Sequence, residues 1–445
     1  MQNEILLSKE TGNYFFGFHD IVAWNAQGDR LACLKNNDIK LPPSLNNPCE
    51  VGFLDSKGHF NKLGDTLAYN YPQGSREQWI GDSNLLITND KVDQSWGSKI
   101  YDTDSSRLIE TLNFPTHVIT DDGWAFGIDY SRLNRVGGYG YTGITDRTAD
   151  ENAPQNSGIL KHHVFKKEHK LILSIRQVAN FKAKENIGKN HYITHLLLSP
   201  NQKRIAFLHR YKLSDGGETT RLMTIDLNGE NLHLLGTGFL SHFDWKDNEN
   251  IVIWGRTGTH VERLRNSITY RLIPAGILSF MKKQIKALHK KPYTDNSSNS
   301  VFKFWVYRDE DNSSRHSMAS DVIFEDGHPM FCPANRDWMV CDTYPNKEGV
   351  RTLYIYQAST NSKINLGNYK MIGEKPDLIK SKINLSGVDE KILKSFSLEQ
   401  MAFTRSGLHC DLHPRWKRDG TMVCFDSIHD GRRLIYGYDV SQYIK

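Results

Sequence analysis

The chain has 445 residues, of which 38% are hydrophobic and 24% are charged, a balance typical of a folded globular protein. It contains no run of about 18 apolar residues, so the sequence predicts no membrane-spanning helix. The formal net charge of +5 equals the charge of one lysine cluster within residues 282–291. The overall balance therefore does not indicate a nucleic-acid partner.

The N-terminus, MQNEILLSKETGNYFF, lacks a basic segment followed by a long apolar stretch and a cleavage site of small residues. We therefore predict a cytoplasmic protein, or an exported one if a leader has been removed. The six cysteines are scattered along the chain, and in the cytoplasm they are expected to be reduced.

Taken in chain order, short apolar segments recur in pairs, and each pair is joined by a polar turn rich in Asp, Asn, Gly or Pro. Seven such units lie at residues 18–35, 77–90, 117–130, 191–211, 241–255, 327–344 and 412–427. Repeats of three or four strands are typical of a β-propeller. The sequence thus predicts an all-β fold, a seven-bladed β-propeller in which residues 1–445 form a single domain. An N-terminal strand is expected to pair with the C-terminal blade.

Two segments interrupt this pattern and are predicted to be helical insertions. In the first, at about residues 273–300, apolar residues with helical spacing alternate with lysines. The lysines are Lys282, Lys283, Lys286, Lys290 and Lys291. This basic amphipathic helix either packs on the propeller with its lysines in solvent or makes a peripheral membrane contact. The second insertion, at about residues 373–405, is predicted to form short helices.

Histidines recur near the start of the first strand in five units: His19, His195, His242, His328 and His413. The first strand of a propeller blade lines the central channel, so these side chains are expected to converge near one mouth. A structural role is the simpler interpretation of any one of them, whereas five at similar positions predict a functional site.

One interpretation of this site is metal binding. The segment HCDLHP places Cys410 and His413 at Cys-x-x-His spacing, and His328 and Asp342 lie one repeat earlier. Thiolate, imidazole and carboxylate ligands can complete a tetrahedral zinc site. We therefore predict Zn²⁺ at these four residues, with His409 as a substitute ligand.

The other interpretation is acid–base chemistry, for which histidine is suited near neutral pH. Arg210, beside His209, and Arg256 either bind a substrate carboxylate through paired hydrogen bonds or form ion pairs at the surface or between blades. Tyr139 and Tyr141 lie in the glycine-rich segment RVGGYGYTG, which either presents a phenol to the channel or forms an aromatic-packed turn. The P-loop, GxSxG and HExxH motifs are absent from the sequence.

Several segments carry a family resemblance, in order along nearly the whole chain: YFFGFHD, QGSREQWIGD, DYSRLNRVGGYGY, HYITHLLLSPNQKRIAFLHRY, LSHFDW, GHPMF with DTYP, and CDLHPRWKRDGTMVCFDS. With these segments the chain resembles the seven-bladed propeller polysaccharide lyases, particularly the ulvan lyases and, more distantly, the oligogalacturonate lyases. The resemblance implies an eliminase that neutralises the C5 carboxylate of a uronic acid, removes the C5 proton and protonates the leaving O4.

The resemblance also implies residue roles. The catalytic candidates are His195, His209, Tyr139 and Tyr141. The substrate-binding candidates are Arg210, Arg256, His242 and His19. Proton transfer is assigned to His195 with one of the tyrosines, and carboxylate binding to an arginine with His209. The resemblance to the ulvan lyases further implies that the zinc ion is structural.

The predicted function is a carbon–oxygen lyase that cleaves uronic-acid-containing polysaccharides or oligosaccharides by β-elimination. An anionic glycan is the expected partner. The alternative is a non-catalytic propeller that binds a glycan or a protein during surface-polysaccharide assembly.

Overall fold

The computed structural model describes residues 4–182, 188–213, 217–257, 302–372 and 405–444. The two predicted helical insertions, at about 273–300 and 373–405, lie outside these residues except at Arg405. The described part is mostly antiparallel β-sheet with two short helices. Neither of these helices is long and apolar enough to cross a bilayer.

The described strands form six antiparallel sheets. A short strand, β1 (Ile5–Leu6), belongs to the last sheet. The first sheet contains β2 (Asn13–Phe15), β3 (Leu31–Asn36), β4 (Cys49–Leu54) and β5 (Phe60–Thr66). The second contains β6 (Gln78–Trp79), β7 (Leu85–Val92), β8 (Ser95–Asp102) and β9 (Arg107–Leu112). The third contains β10 (Val118–Ile119), β11 (Trp124–Gly127), β12 (Gly158–His163) and β13 (His169–Ser174).

The helices α1 (Tyr130–Gly137) and α2 (Ile175–Asn180) follow β11 and β13. The fourth sheet contains β14 (Lys189–Leu198), β15 (Arg204–Lys212), β16 (Glu218–Asp226), β17 (His233–Trp245), β18 (Asn250–Thr257), β19 (Lys303–Arg308) and β20 (Asp311–Met318). The fifth contains β21 (Met330–Phe331), β22 (Trp338–Asp342), β23 (Val350–Gln357) and β24 (Ser362–Lys370). The last combines β1 with β25 (Arg415–Trp416), β26 (Met422–Ser427) and β27 (Leu434–Asp439).

The chain divides into two compact units. The first comprises residues 1–149, 159–172 and 328–445, and the second comprises residues 150–158 and 173–327. The prediction of a single domain over residues 1–445 stays a prediction.

In the first unit, the two ends of the chain share one sheet. Strand β1 runs antiparallel to β27, with Ile5 opposite Gly437 and Leu6 opposite Tyr436. The predicted pairing of an N-terminal strand with the C-terminal sheet is confirmed. Strands at the ends of a chain fray unless they are paired, so this pairing secures both ends.

Tryptophan side chains link neighbouring groups of strands within each unit. The indole N–H of Trp79, in β6, donates at 2.7 Å to the carbonyl of Ala23, which lies between β2 and β3. In the first unit Trp416, in β25, also donates to Met330, in β21, at 2.9 Å. In the second unit Trp245, in β17, donates to Leu197, in β14 of the same sheet, at 3.1 Å. These bonds fix the packing between neighbouring groups of strands.

The second unit is built around one long strand. Strand β17 pairs with β16 through its first half and with β18 through its second half, with a register shift between Leu240 and Phe243. The seven-stranded sheet therefore consists of two four-stranded runs that share β17. Apolar side chains of both runs, including Trp245, form one buried cluster.

Candidate metal and substrate site

Two histidines and one aspartate of the first unit form a compact cluster. His328, Asp411 and His413 each offer one ligand atom, and these atoms lie within 4.8 Å of one another. The three residues are buried, with exposed fractions of 1%, 8% and 1%. Imidazole and carboxylate are ligands that divalent transition metals accept. We refer to these three residues as the histidine–aspartate cluster.

The fold places both histidines at the same position in two sheets of this unit. Each precedes a proline and lies three residues before the aromatic residue that ends the first strand, Phe331 in β21 and Trp416 in β25. His413 has a φ of +42°. A residue before proline normally has an extended backbone, so the backbone at His413 is strained. Strained residues of this kind concentrate at functional sites.

Asp342 is not a member of the cluster but forms hydrogen bonds that hold its residues in place. Its Oδ1 atom accepts a hydrogen bond from the backbone N–H of His328 at 2.8 Å and lies 2.8 Å from His328 Nδ1. Its Oδ2 atom accepts a bond from the backbone N–H of Leu412 at 3.1 Å. Because a carboxylate only accepts, Nδ1 of His328 carries the proton and Nε2 carries the lone pair. A carboxylate behind a histidine is the usual way of orienting a metal ligand.

Arg351 fixes the aspartate of the cluster. Its Nη2 atom lies 2.7 Å from Asp411 Oδ1, and both side chains are nearly inaccessible to solvent. Burial alone would raise the pKa of Asp411, but the Arg351 guanidinium and the nearby imidazoles hold it well below its usual value. Asp411 is therefore ionised near neutral pH, as a metal ligand must be.

One histidine of the cluster, His413, is neutral near neutral pH. Burial lowers the pKa of His413 well below its usual value, and the neighbouring His328 lowers it further. The Nδ1 atom of His413 is buried and has no hydrogen-bond partner among the described residues. An unpaired buried nitrogen is costly unless a ligand uses it. The residues present therefore fit a divalent cation.

Aromatic and basic side chains surround the cluster. The Phe18 ring lies 5.9 Å from that of His328 and 5.1 Å from that of His413. His19, one of the predicted substrate-binding residues, lies beside them, with its ring 5.5 Å from that of His328. Tyr344 packs on His328 at 5.6 Å and is 39% exposed. Tyr344 therefore lies between the buried cluster and the solvent.

The predicted zinc set differs from the observed cluster at two positions. Asp342 does not face the other ligand atoms, because both of its oxygens accept bonds from the backbone and from His328. The Cys410 thiol lies 3.6 Å from Asp426 Oδ2, and burial raises its pKa. Asp411 takes the place that was expected for Cys410. The alternation His-x-Asp-x-His in HCDLHP could have shown this, since alternate residues of an extended segment share a face.

His409, the predicted substitute ligand, lies at the edge of the cluster. Its Nε2 atom is 3.9 Å from Asp411 Oδ1, and its side chain is 24% exposed. Burial lowers its pKa, which Asp411 partly offsets. His409 is thus a neutral imidazole beside the cluster with partial access to solvent.

The structure places His209 in the buried interior of the second unit. Its Nε2 atom lies 3.0 Å from His191 Nδ1, and its Nδ1 atom lies 3.4 Å from Arg221 Nη1. Burial lowers its pKa well below the usual value, and Arg221 adds to the effect. Arg221 also donates to the carbonyls of Val178 and Phe181 at the end of α2. The histidine predicted to bind a carboxylate is therefore buried beside Arg221, which anchors the end of α2.

The other two histidines of this unit have different surroundings. His195 lies in a register shift of β14 with a φ of +55°, and its Nδ1 atom is 2.9 Å from the Thr194 hydroxyl. The Nδ1 atom of His242 is 3.0 Å from Asp326 Oδ1, and both side chains are partly exposed. His242 therefore has an orienting carboxylate, which the sequence did not indicate.

The two predicted carboxylate-binding arginines have partners in the second unit. Arg210 Nη1 lies 3.7 Å from Glu218 Oε1, and the other oxygen of Glu218 accepts bonds from Tyr192 and Lys212. The Arg256 guanidinium lies 5.2 Å from the centre of the Phe302 ring. Arg210 thus forms an ion pair, as the alternative interpretation proposed.

The glycine-rich segment packs into the first unit. Tyr141 is fully buried, its ring is stacked 4.2 Å from that of Tyr130, and its hydroxyl accepts a bond from Asn89 at 2.9 Å. Burial raises the pKa of Tyr141 well above its usual value. The carbonyl of Tyr139 accepts a bond from Asn70. The segment is therefore an aromatic-packed turn, and Tyr141 does not present its phenol to solvent.

No protein-family model and no curated protein matches the chain. Several solved structures are similar to the chain. An oligogalacturonate lyase from Vibrio parahaemolyticus is similar with a TM-score of 0.57 and 11% identity, over 99% of this chain and 94% of that one. An oligogalacturonate lyase in complex with manganese has a TM-score of 0.57 and 12% identity, over 98% of this chain and 96% of that one. At these identities the similarity concerns the fold, so the chain has the propeller-like fold of these lyases.

Proposed function

We propose that this protein is a lyase that cleaves a uronic-acid-containing glycan by β-elimination at the histidine–aspartate cluster. The observation that carries the proposal is a buried cluster of two imidazoles and an ionised carboxylate, within a fold shared with oligogalacturonate lyases. We also propose that the whole chain is one seven-bladed propeller. The four-stranded sheets, together with the two runs that share β17, supply that number of blades.

His328, Asp411 and His413 would hold a divalent cation. Two imidazoles and a carboxylate can hold manganese or zinc, and manganese is proposed first because the similar lyase contains it. When bound, the cation would neutralise the uronate carboxylate and make the C5 proton more acidic. Asp342 orients His328, and Arg351 holds Asp411 in its ionised form. These two residues are positioning residues in the proposal.

The elimination also needs a group that removes the C5 proton. The candidate in the first unit is His409, because its Nε2 atom lies 3.9 Å from Asp411 Oδ1 and its side chain is 24% exposed. Burial lowers the pKa of His409, so it is a neutral imidazole that can accept a proton.

The direct test is to incubate the full-length protein with polygalacturonate, alginate and ulvan and to follow the absorbance of the unsaturated product. Activity is expected after addition of Mn²⁺ and should be lost in His328→Ala. His409→Gln then tests the base, because loss of a general base lowers kcat by about 10²–10⁴-fold. A folded protein that carries metal and gives no unsaturated product from any of these glycans would contradict the proposal.

The deep burial of all three cluster residues favours a second candidate, because a closed site is typical of a structural metal. In that case the protein is a non-catalytic propeller that binds a glycan or a protein. Glycan binding without product formation, together with a lower melting temperature after metal removal, would support this alternative.

A further inference from the structure

The hairpin of β12 and β13, residues 159–172 of the first unit, carries an unusual concentration of positive charge. It contains four lysines and one glutamate, and residues 165–170 are all exposed. The lysines are Lys161, Lys166, Lys167 and Lys170. None of them belongs to the histidine–aspartate cluster or to the predicted site residues.

An aromatic row runs along one face of this hairpin. In the pairing of β11 with β12, His163 lies opposite Trp124. The rings of Trp124 and His163 are 4.9 Å apart, and those of His163 and Phe165 are 6.3 Å apart. Phe165, at the turn, is 51% exposed. Phe165 is therefore the exposed end of the aromatic row, and it lies beside charged side chains.

Lysines border the aromatic row. The Nζ atom of Lys161 lies 4.2 Å from the centre of the Trp124 ring, and that of Lys166 lies 6.0 Å from it. These cation–π contacts hold both ammonium groups beside the rings. The surface therefore combines fixed positive charges with apolar ring faces.

We propose that the hairpin face, defined as Trp124, Phe165, Lys166, Lys167 and Lys170, is an accessory binding surface for an acidic polysaccharide. Sugar rings carry apolar C–H faces that pack on aromatic rings, and their carboxylates pair with ammonium groups. The glycan class rests on the proposed function. The surface itself rests on its own side chains.

An anionic membrane surface is the other partner that lysines and phenylalanine fit. Stable membrane binding needs a continuous apolar face or several anchors, and this hairpin exposes one large apolar residue, Phe165. Asp122 and Glu168 are also close enough to interact with Lys161, which weakens attraction to a uniformly negative surface. The mixed charges favour a glycan, whose carboxylates are discrete.

The test compares two triple variants of the full-length protein in native gels that contain polygalacturonate or alginate. Lys166→Ser, Lys167→Ser and Lys170→Ser remove three hairpin charges. Lys9→Ser, Lys57→Ser and Lys370→Ser remove the same charge from exposed positions elsewhere in the first unit. The dissociation constant is expected to rise about tenfold in the hairpin variant, because each exposed charge pair contributes a few-fold, and to change less than about twofold in the control.

Phe165→Ser provides a second, uncharged variant and is expected to weaken binding in the same direction, because it removes the exposed ring. Circular dichroism checks that every variant is folded. Equal weakening by the two triple variants would overturn the proposal, as would absence of binding to both glycans. So would selective loss of binding to phosphatidylserine vesicles in the hairpin variant with glycan binding unchanged.

The two proposals can fail separately. If the hairpin variant loses glycan binding and the wild type forms no unsaturated product, only the lyase function fails. If a short uronate oligosaccharide is cleaved and the hairpin variant binds polymer like the wild type, only the accessory surface fails.

Discussion

At the scale of single residues, Asp342 holds His328 and the backbone of Leu412 in position through hydrogen bonds. Both of its oxygens are engaged, one by His328 and the other by the backbone of Leu412. We expect Asp342→Asn to weaken metal binding by about 10–100-fold, because an amide orients the imidazole less well and makes it a poorer ligand. Metal affinity measured by competition with a chelating dye checks this.

The matched control is Cys410→Ala. Its thiol lies against Asp426 and outside the cluster, so the substitution is expected to leave metal affinity within about twofold of the wild type. If instead Cys410→Ala lost the metal, Cys410 would be a ligand, as predicted from the sequence, and the assignment of the metal to the observed cluster would be wrong.

Glu77 is a buried carboxylate whose charge opposes folding. Burial raises its pKa to about 7, although Arg415 and hydrogen bonds from Ser75 act in the other direction. The folded state therefore binds a proton more tightly than the unfolded state, and this contribution to stability is lost as pH rises from about 4.5 to 7. The loss is on the order of 3 kcal/mol.

We expect Glu77→Gln to remove the contribution of Glu77 to the pH dependence of the unfolding free energy. Between pH 5 and 8 the unfolding free energy of the variant, relative to the wild type, should rise by that amount. Urea denaturation at several pH values measures it. Taking the difference between proteins is necessary because buried histidines such as His209, whose pKa is lowered, contribute with the opposite sign. A constant difference across this range would contradict the assignment.

Some residue-level features could be predicted from the sequence and others could not. His328 and His413 were predicted as metal ligands because they recur at one position of the repeat. Arg351 was not, since only the folding of β23 beside the HCDLHP segment brings it to Asp411. Tyr141 was assigned to catalysis, but its ring stacks on Tyr130 in the interior. A glycine-rich segment shows where the chain turns and leaves open which way a phenol points.

At the scale of elements, we expect the hydrogen bonds between tryptophan side chains and backbone carbonyls to contribute to the unfolding free energy. Trp416→Phe leaves the Met330 carbonyl without its donor in a buried environment, which costs about 1–3 kcal/mol of unfolding free energy. Trp96→Phe is the control, because that indole N–H is buried without a hydrogen-bond partner among the described residues. Urea denaturation should show the larger loss for Trp416→Phe. Equal losses would mean that ring volume alone matters.

The hairpin at residues 191–211 shows how far strand patterns can be interpreted. Its two strands and the turn at Pro200 were predicted and are present as β14 and β15. Strict alternation along a strand would put His191 and His195 on one face, because they are four residues apart. A register shift after Thr194 breaks this alternation, and periodicity in the sequence gives no sign of such an irregularity.

At the scale of the molecule, the pairing of β1 with β27 joins sequence positions more than 400 residues apart. The backbone N–H of Leu7 donates to the carbonyl of Ile435 at 2.9 Å. Leu7→Pro removes this donor and is expected to lower the unfolding free energy by about 2–3 kcal/mol. Leu7→Ala keeps the donor and should cost less. Denaturation of both variants tests whether the backbone bond, rather than the side chain, secures the terminus.

The repeat pattern was enough to predict an all-β chain of short antiparallel sheets with joined ends, because strand and turn chemistry is local. The division into two compact units was not predictable in this way. It depends on how sheets pack, and packing involves residues distant in sequence such as Asp150–Gly158, which join the second unit.

The sharing of β17 by two runs of strands has a consequence for how this chain can change during evolution. Propellers commonly gain insertions in the loops that connect one blade to the next. Between these two runs the connection is the continuous strand from His233 to Trp245, so there is no loop to lengthen. New segments, cut sites or circularly permuted ends are tolerated in exposed loops. We therefore expect such changes on either side of β17 and none within it.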